Sequence, residues 1–326
     1  MKGFILGLYP SFSCIADRCP ATCCSGWKVT VDPKDYKRFQ EISDRNLRED
    51  ILGHIVRENE WYRFQNKKSG DCAMLDPDHL CRIQRNLGET MLCNTCRKFP
   101  RLTVKTGEAL WVSLAASCPV VAEYLLTEQV CWNALLEDGR QEKLPPENFA
   151  VLKEGMELLQ EMRMEYQKVS EAAAGRNERY NGWEYDAFSE IAADTLDIIL
   201  AFPECSYLEG SFDYYGQEVP ENELKRMEAF AGETGSIWEH LFDNYFYYRY
   251  PSRYLEYPDE SSGERFRQVI GEMLLIRIIA CSVYQVQGKI ELQDWMKILN
   301  WSYRFFAHGR KMAICVHRMI LSWSQE

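Results

Sequence analysis

Apolar residues recur at helical spacing through most of the second half of the chain. After a helix start at Pro145-Pro146-Glu147, the residues Phe149, Leu152, Met156, Leu159, Met162, Tyr166 and Val169 step by three or four. They predict one apolar stripe that runs until Gly175. Phe188, Ile191, Thr195, Leu196 and Ile199 form a second stripe, stopped by Pro203. Glu264 to Gln287 makes a third, ending at Gly288, a residue suited to a left-handed helix cap. Asp294 to Ser322 holds two more helices, with a break near His308-Gly309. The polar sections Ala174 to Gly182 and Glu256 to Gly263 read as loops.

The first part of the chain has mixed periods. Trp27 to Asp32 alternates apolar and polar, as a short half-buried strand does. Pro33 then opens a helical pattern through Tyr36, Phe39, Ile42 and Leu47. Leu102 to Val112 predicts a hairpin turning at Thr106-Gly107, and Pro119 to Leu136 reads as helix. The expected fold is therefore mainly α. A Cys-rich α+β part with a short hairpin (residues 1–140) precedes an all-helical part (residues 141–326).

Composition narrows the function classes. Of 326 residues, 46% are apolar and 27% charged, as in an ordinary globular chain that buries a core. The 38 basic and 49 acidic residues give a net charge of −11. Nucleic-acid binding needs a basic face to displace counterions, so no nucleic-acid partner is expected. No run reaches the ~18 apolar residues of a membrane span. The best stretch, Met273 to Ala280, is short and contains Arg277. No secretory leader is recognisable at Met1 to Pro10, and a cytoplasmic, membrane-free protein is expected.

Thirteen cysteines change this picture. Nine lie before residue 120, as Cys14-x4-Cys19-x3-Cys23-Cys24, Cys72-x8-Cys81, Cys93-x2-Cys96 and Cys118. In a reducing compartment such residues are thiols or metal ligands before they are disulfides. Short spacings let one turn present two sulfurs to one metal. The side chains of adjacent cysteines diverge, so Cys23 and Cys24 are expected to do different jobs. Thiolate-rich sites take zinc or iron–sulfur clusters. Cys93-x2-Cys96 has zinc-knuckle spacing, whereas the wide spread of the other thiols suits a cluster. The C-x3-C-x2-C pattern fails, because Gly26 stands where its third cysteine belongs.

The ordered cysteines and their flanks resemble the bacterial flagellin lysine-N-methylases, whose Cys-rich segment is related to the CxxCxxCC putative zinc- or iron-chelating domains. The resemblance is dense over residues 9–125. It is carried by Phe12 to Trp27, Cys72 to Leu75, Leu80 to Ile83, Leu87-Gly88-Glu89, Thr95-Cys96-Arg97-Lys98-Phe99-Pro100-Arg101 and Ser117-Cys118-Pro119. Further on, Asp243-Asn244-Tyr245 and Tyr250-Pro251 also match. It implies a 4Fe–4S cluster, S-adenosylmethionine as methyl donor, and flagellin lysines as acceptors. By match the metal ligands come from Cys14, Cys19, Cys23, Cys24, Cys72, Cys81 and Cys96. Cys93 falls outside the matched set. A cluster needs only about four thiolates.

Methyl transfer to lysine needs a neutral amine. Neutralising an ordinary lysine near pH 7 costs about 4–5 kcal/mol, supplied by desolvation or a base. The run Asp243 to Pro251 offers both chemistries, with Tyr245 and Tyr248 as catalytic candidates. Aromatic faces also attract a cation or a sulfonium. Core packing is the favoured reading of the same run. No Gly-rich strand-to-helix loop announces a Rossmann-type donor site. Arg97 and Arg101, flanking Phe99-Pro100, are candidates to meet the donor's carboxylate or to pair with nearby acids. The five histidines are scattered. Two functional readings follow: a metal-dependent lysine methyltransferase, or a non-catalytic protein-interaction module stapled by structural zinc.

Overall fold

The structure is a computed structural model that describes residues 3–58, 61–106, 109–145, 148–175 and 221–308. The second predicted stripe and the last predicted helix lie outside these residues. Five strands form the larger sheet: β1 (Gly3–Leu6), β5 (Arg101–Thr106), β6 (Ala109–Leu114), β7 (Trp132–Leu135) and β8 (Gln141–Lys143), in the order β5-β6-β1-β7-β8. The predicted hairpin is the β5–β6 pair, with Arg101 opposite Leu114 and Thr106 opposite Ala109. β1 runs parallel to β6 and antiparallel to β7. The first part mixes strands and helices as expected, but its sheet is larger than the sequence pattern indicates, so the fold as a whole is mixed rather than mainly α. The predicted helix over Pro119 to Leu136 ends at Thr127, as α5 (Pro119–Thr127). The rest of that run turns into β7, because Trp132 and Ala134 are buried in alternation on the sheet.

A smaller sheet, β2-β4-β3, joins β2 (Thr30–Val31), β3 (Ile55–Glu58) and β4 (Trp61–Phe64). Beside it lie α1 (Pro33–Gln40) and α2 (Arg45–Gly53). Asp32 and Asp44 cap these two helices, accepting hydrogen bonds from the amides of Asp35 and Leu47. Two short helices follow, α3 (Arg82–Leu87) and α4 (Asn94–Lys98). Val29, Val31, Phe39, Ile51, Phe64 and Met74 form the centre of a small core here.

The long helices are α6 (Ala150–Gly175), α7 (Glu221–Glu256), α8 (Ser262–Gln287) and α9 (Leu292–His308). On α6 the predicted stripe is present: Phe149, Leu152 and Leu159 are buried, with Met156 and Met162 packed beside them. The side chains of Tyr166 and Val169 lie outside the described residues. α6 continues through Ala174 and Gly175, which were expected in a loop. α8 ends at Gly288 with φ 73°, as its sequence predicts, and begins at Ser262, inside the expected loop, with a reciprocal capping box between Ser261 and Glu264. α8 is also long and apolar enough to cross a membrane, contrary to the expectation that no such segment exists. In the fold it is an inner helix, with 72% of its apolar window buried against its neighbours.

α7 is not foreseen by the apolar pattern, and Pro251 lies inside it. Proline has no N–H to give to the carbonyl four residues back. That carbonyl, of Tyr247, instead accepts the indole N–H of Trp132 at 3.0 Å. On the same helix Asn244 donates to the carbonyls of Leu125 and Glu128 and accepts the amide of Val130 at 3.0 Å. The run Asp243 to Pro251 thus clasps the end of α5 and the start of β7. The main core extends from Leu6, Trp111 and Trp132 on the sheet, through α5, to Phe246, Ile276 and Leu299 on the long helices.

Candidate metal centre

The nine early cysteines stand on loops and at helix starts: Cys72 and Cys93 in the small core, Cys24, Cys81 and Cys96 against it, Cys118 in the main core, and Cys14, Cys19 and Cys23 on the loops before β2. The 19–24 loop pairs with the 66–72 segment: the amide of Cys72 donates to the carbonyl of Cys24 at 2.6 Å, and Ser25 bridges to Asp71. Cys72 is itself bridged to Asn66, and Cys81 to Leu75. Cys81, Cys93 and Cys118 each occupy the position just before a helix, α3, α4 and α5. In all three, amides of the first turn favour the thiolate of the cysteine before them. Every described cysteine is a free thiol.

The sulfurs act on one another across the chain. Cys23 feels Cys24, Cys14 and Cys118, while Cys118 feels Cys19 and Cys14. Cys72 feels Cys24, Cys81 and Cys93, Cys96 feels Cys93, Cys24 and Cys23, and Cys19 feels Cys14 and Cys24. The Cys93 and Cys96 sulfurs share a hydrogen bond at 3.5 Å. That bond lowers the Cys93 thiol and, with burial, raises Cys96. The bond between Cys23 and Cys24 likewise raises Cys23, which is also buried, and lowers Cys24. Burial pushes Cys72 up to about 12 and Cys118 up to about 11. Among the described residues no three thiol, imidazole or carboxylate side chains are close enough to share one ion. The donor set is nonetheless chemically suited to a thiophilic metal: free thiols from four chain segments, with several held next to helix amides.

All seven sequence-predicted ligands lie in this region. The structure adds Cys118, which sequence matching left off the ligand set, and Cys93, whose nearest thiol partner is Cys96. It also adds Arg304 of α9. This guanidinium donates to the carbonyls of Thr22 at 3.2 Å and of Ala21 and Ser25 at 3.4 Å. Cys19, Cys23 and Cys118 all lie within its field, and burial lowers its pKa. One turn earlier, the Asn300 side chain donates to the carbonyl of Ser117. One face of α9 therefore holds both the 21–25 loop and the residue before Cys118. A lone basic residue on a distant helix has no sequence signal. Cys118 had one, because Pro119 marks a helix start directly after it.

The other candidates lie elsewhere. Arg97 pairs with Asp35 at 3.6 Å and donates to the Thr90 carbonyl. Arg101 stacks its guanidinium 5.2 Å above the Phe12 ring. Tyr245 and Tyr248 are buried inside the helical core. Tyr245 donates to Glu272 at 2.9 Å. Tyr248 donates to the Leu114 carbonyl at 2.9 Å and accepts the Ala116 amide at 3.0 Å. Both hydroxyls are thus committed to bonds within the fold, and burial raises both pKa values well above the ordinary tyrosine value.

No family model matches the chain, and no solved structure matches it. Curated proteins do. The lysine-N-methylases of Salmonella typhimurium and Salmonella choleraesuis are each 33% identical over 122 residues, 36% of this chain and 30% of theirs. The flagellar biosynthetic protein FliU of Salmonella muenchen is 32% identical over 122 residues, again 36% of this chain but 72% of its own length. The match thus spans under a third of the two methylases' length. With the greater part of FliU covered at this identity, the chain belongs to the family of FliU and the Salmonella lysine-N-methylases.

Proposed function

We propose that this protein transfers methyl groups from S-adenosylmethionine to lysine side chains of flagellin, with an iron–sulfur cluster held by its N-terminal thiols. The identity with lysine-N-methylases carries this reading. The gathering of free thiols from segments far apart in sequence supports the metal. Free thiols in this number suit a reducing compartment, and we place the protein in the cytoplasm.

The chain's own residues would have three tasks. Cys14, Cys19, Cys23, Cys24, Cys72, Cys81 and Cys96, with Cys93 and Cys118, supply more thiols than a cluster needs. Such a cluster, when bound, supplies an electron-transfer centre or a fixed charge beside the donor. Arg101, at the start of β5 and close in sequence to Cys96, would meet the donor's carboxylate. The acceptor amine must lose its proton before transfer, a cost of about 4–5 kcal/mol near pH 7. Desolvation by aromatic surface lowers an ammonium's pKa and meets part of that cost.

The test is direct. Iron-loaded protein, purified without air, is incubated with S-adenosylmethionine and flagellin, and flagellin peptides are read by mass spectrometry. Methylated lysines are expected. A folded, iron-loaded protein that leaves every flagellin lysine unmodified overturns the reading.

A further inference from the structure

The larger sheet has two edges, β5 and β8. β8 is a short strand of three exposed residues. β5 has six residues and pairs only with β6 among the described residues. Its register decides which backbone groups are free. The amide of Ala115 donates to the carbonyl of Pro100 at 2.8 Å, so these opposed residues form a hydrogen-bonded pair. Such pairs alternate with non-bonded ones along an antiparallel ladder. Leu102, Val104 and Thr106 therefore bond to β6, and the N–H and C=O groups of Arg101, Thr103 and Lys105 point to the open edge. No described residue pairs with those groups. Leu102 packs against the main core, so the side chains of Arg101, Thr103 and Lys105 lie on the other face. Thr103, Val104 and Lys105 are exposed. Neither β5 nor β6 contains an acid, and Lys105 has no acid partner among the described residues.

Open amides and carbonyls on a sheet edge are a template for another strand. Water also satisfies them, so the side chains must say what would displace it. A second copy of the chain is disfavoured. Antiparallel pairing centred on Thr103 would set Arg101 opposite Lys105 of the copy at both ends, and like charges directly opposite repel. The same two cations favour carboxylates, in a chain whose net charge is −11. On the other face Val104, 39% exposed, offers an apolar contact. We propose that the β5 edge receives an extended segment of the acceptor protein as an added antiparallel strand, acidic on the face of Lys105 and apolar on the face of Val104. That the occupant is a methyl acceptor rests on the functional reading above; the open edge and its chemistry do not. Arg101, at the start of β5, is the residue given above to the donor's carboxylate. A segment laid along β5 would therefore lie beside the place of methyl transfer, held by backbone bonds that any extended sequence can make.

The full chain, without donor, is titrated into a fluorescent peptide of glutamate alternating with valine, about eight residues long, and anisotropy is read. Saturable binding that weakens with salt is expected. The same peptide with glutamine in place of glutamate should bind several-fold more weakly, and Lys105→Glu should abolish that preference. Thr103→Pro removes an outward N–H and leaves the β6 ladder intact. It should melt within a few degrees of the native chain and bind the peptide about tenfold more weakly. Should that variant fail to fold, the native chain decides the matter with modified peptides. In the added strand the glutamates stand opposite Arg101, Thr103 and Lys105, so N-methylation of the glutamate amides should abolish binding and N-methylation of the valine amides should not. The proposal is overturned by absence of binding, by a folded Thr103→Pro that binds as the native chain does, by equal binding of the glutamate and glutamine peptides, or by equal effects of the two N-methylations. A native dimer in sedimentation that Thr103→Pro dissociates would give the edge to a second copy and overturn it too. If the peptide results hold and flagellin stays unmethylated, the methyl-transfer reading falls and the docking edge stands.

Discussion

The small Cys-rich core and the helical core keep their shape by different means. Among the described residues the first buries twelve apolar side chains and the second thirty-eight. The helical core buries its charges as well. Arg249, fully buried, donates to Glu272 at 2.7 and 3.0 Å and to Glu256 at 2.9 Å, while Arg253 reaches Glu260 and Glu272. Such a network tolerates its burial only because its members satisfy one another. Among the described residues the small core buries a single charge, Asp35, paired with Arg38 at 2.6 Å and Arg97 at 3.6 Å. It has short strands, short helices and thiols. A region with little apolar surface to bury depends on cross-links, whereas one with much surface can carry buried charge.

The sharpest way to break this comparison is to strip the metal proposed for the thiols. Chelation under reducing conditions should abolish amide-exchange protection over residues 28–98 and leave α7 and α8 protected. Structural zinc is worth about 10 kcal/mol or more to a small module. Equal loss of protection in both regions would erase the distinction. Next in size, Glu272→Ala should cost about 3–5 kcal/mol in denaturant unfolding, because it removes the buried carboxylate that Arg249 and Arg253 share. Metal content should be unaffected.

Gly155→Ala sharpens the point about close packing. A Cβ at Gly155 would stand 2.7 Å from the ring of Tyr250, a stiff neighbour. Overpacking of this kind costs about 1–3 kcal/mol and should lower the melting temperature. The smallest expected effect is on pH dependence in the metal-free protein. Burial raises Cys72 from the ordinary 9.0 to about 12, and Tyr250 from 10.0 to about 12. Both groups favour the folded state while neutral. Their contributions are complete below the ordinary values and vanish as pH rises through the folded ones. The small core should therefore begin to weaken about one pH unit below the helical core. Thiol alkylation rates against phenolate absorbance will show the order.

Local pattern was enough wherever an element's own residues decide it. The stripe on α6, Gly288 of α8, the β5–β6 hairpin and the opening of α1 at Pro33 could all be read directly, because period, cap and turn residues lie within a few positions of one another. α7 escaped that reading, since Pro251 argues against a helix until the Trp132 indole takes up the freed carbonyl. β7 escaped because its partner β1 lies more than a hundred residues away. The thiol-rich segments and the family resemblance were likewise legible in the order of the cysteines.

What only the tertiary structure decided is which sulfur keeps company with which. Cys23 and Cys24, neighbours in sequence, hydrogen-bond to each other. Cys96 closes on Cys93, and Arg304 reaches the 21–25 loop from the far end of the described chain. Sequence spacing governs contacts within a turn or a helix; contacts between segments follow from how two hydrophobic cores pack, and that is a property of the whole fold.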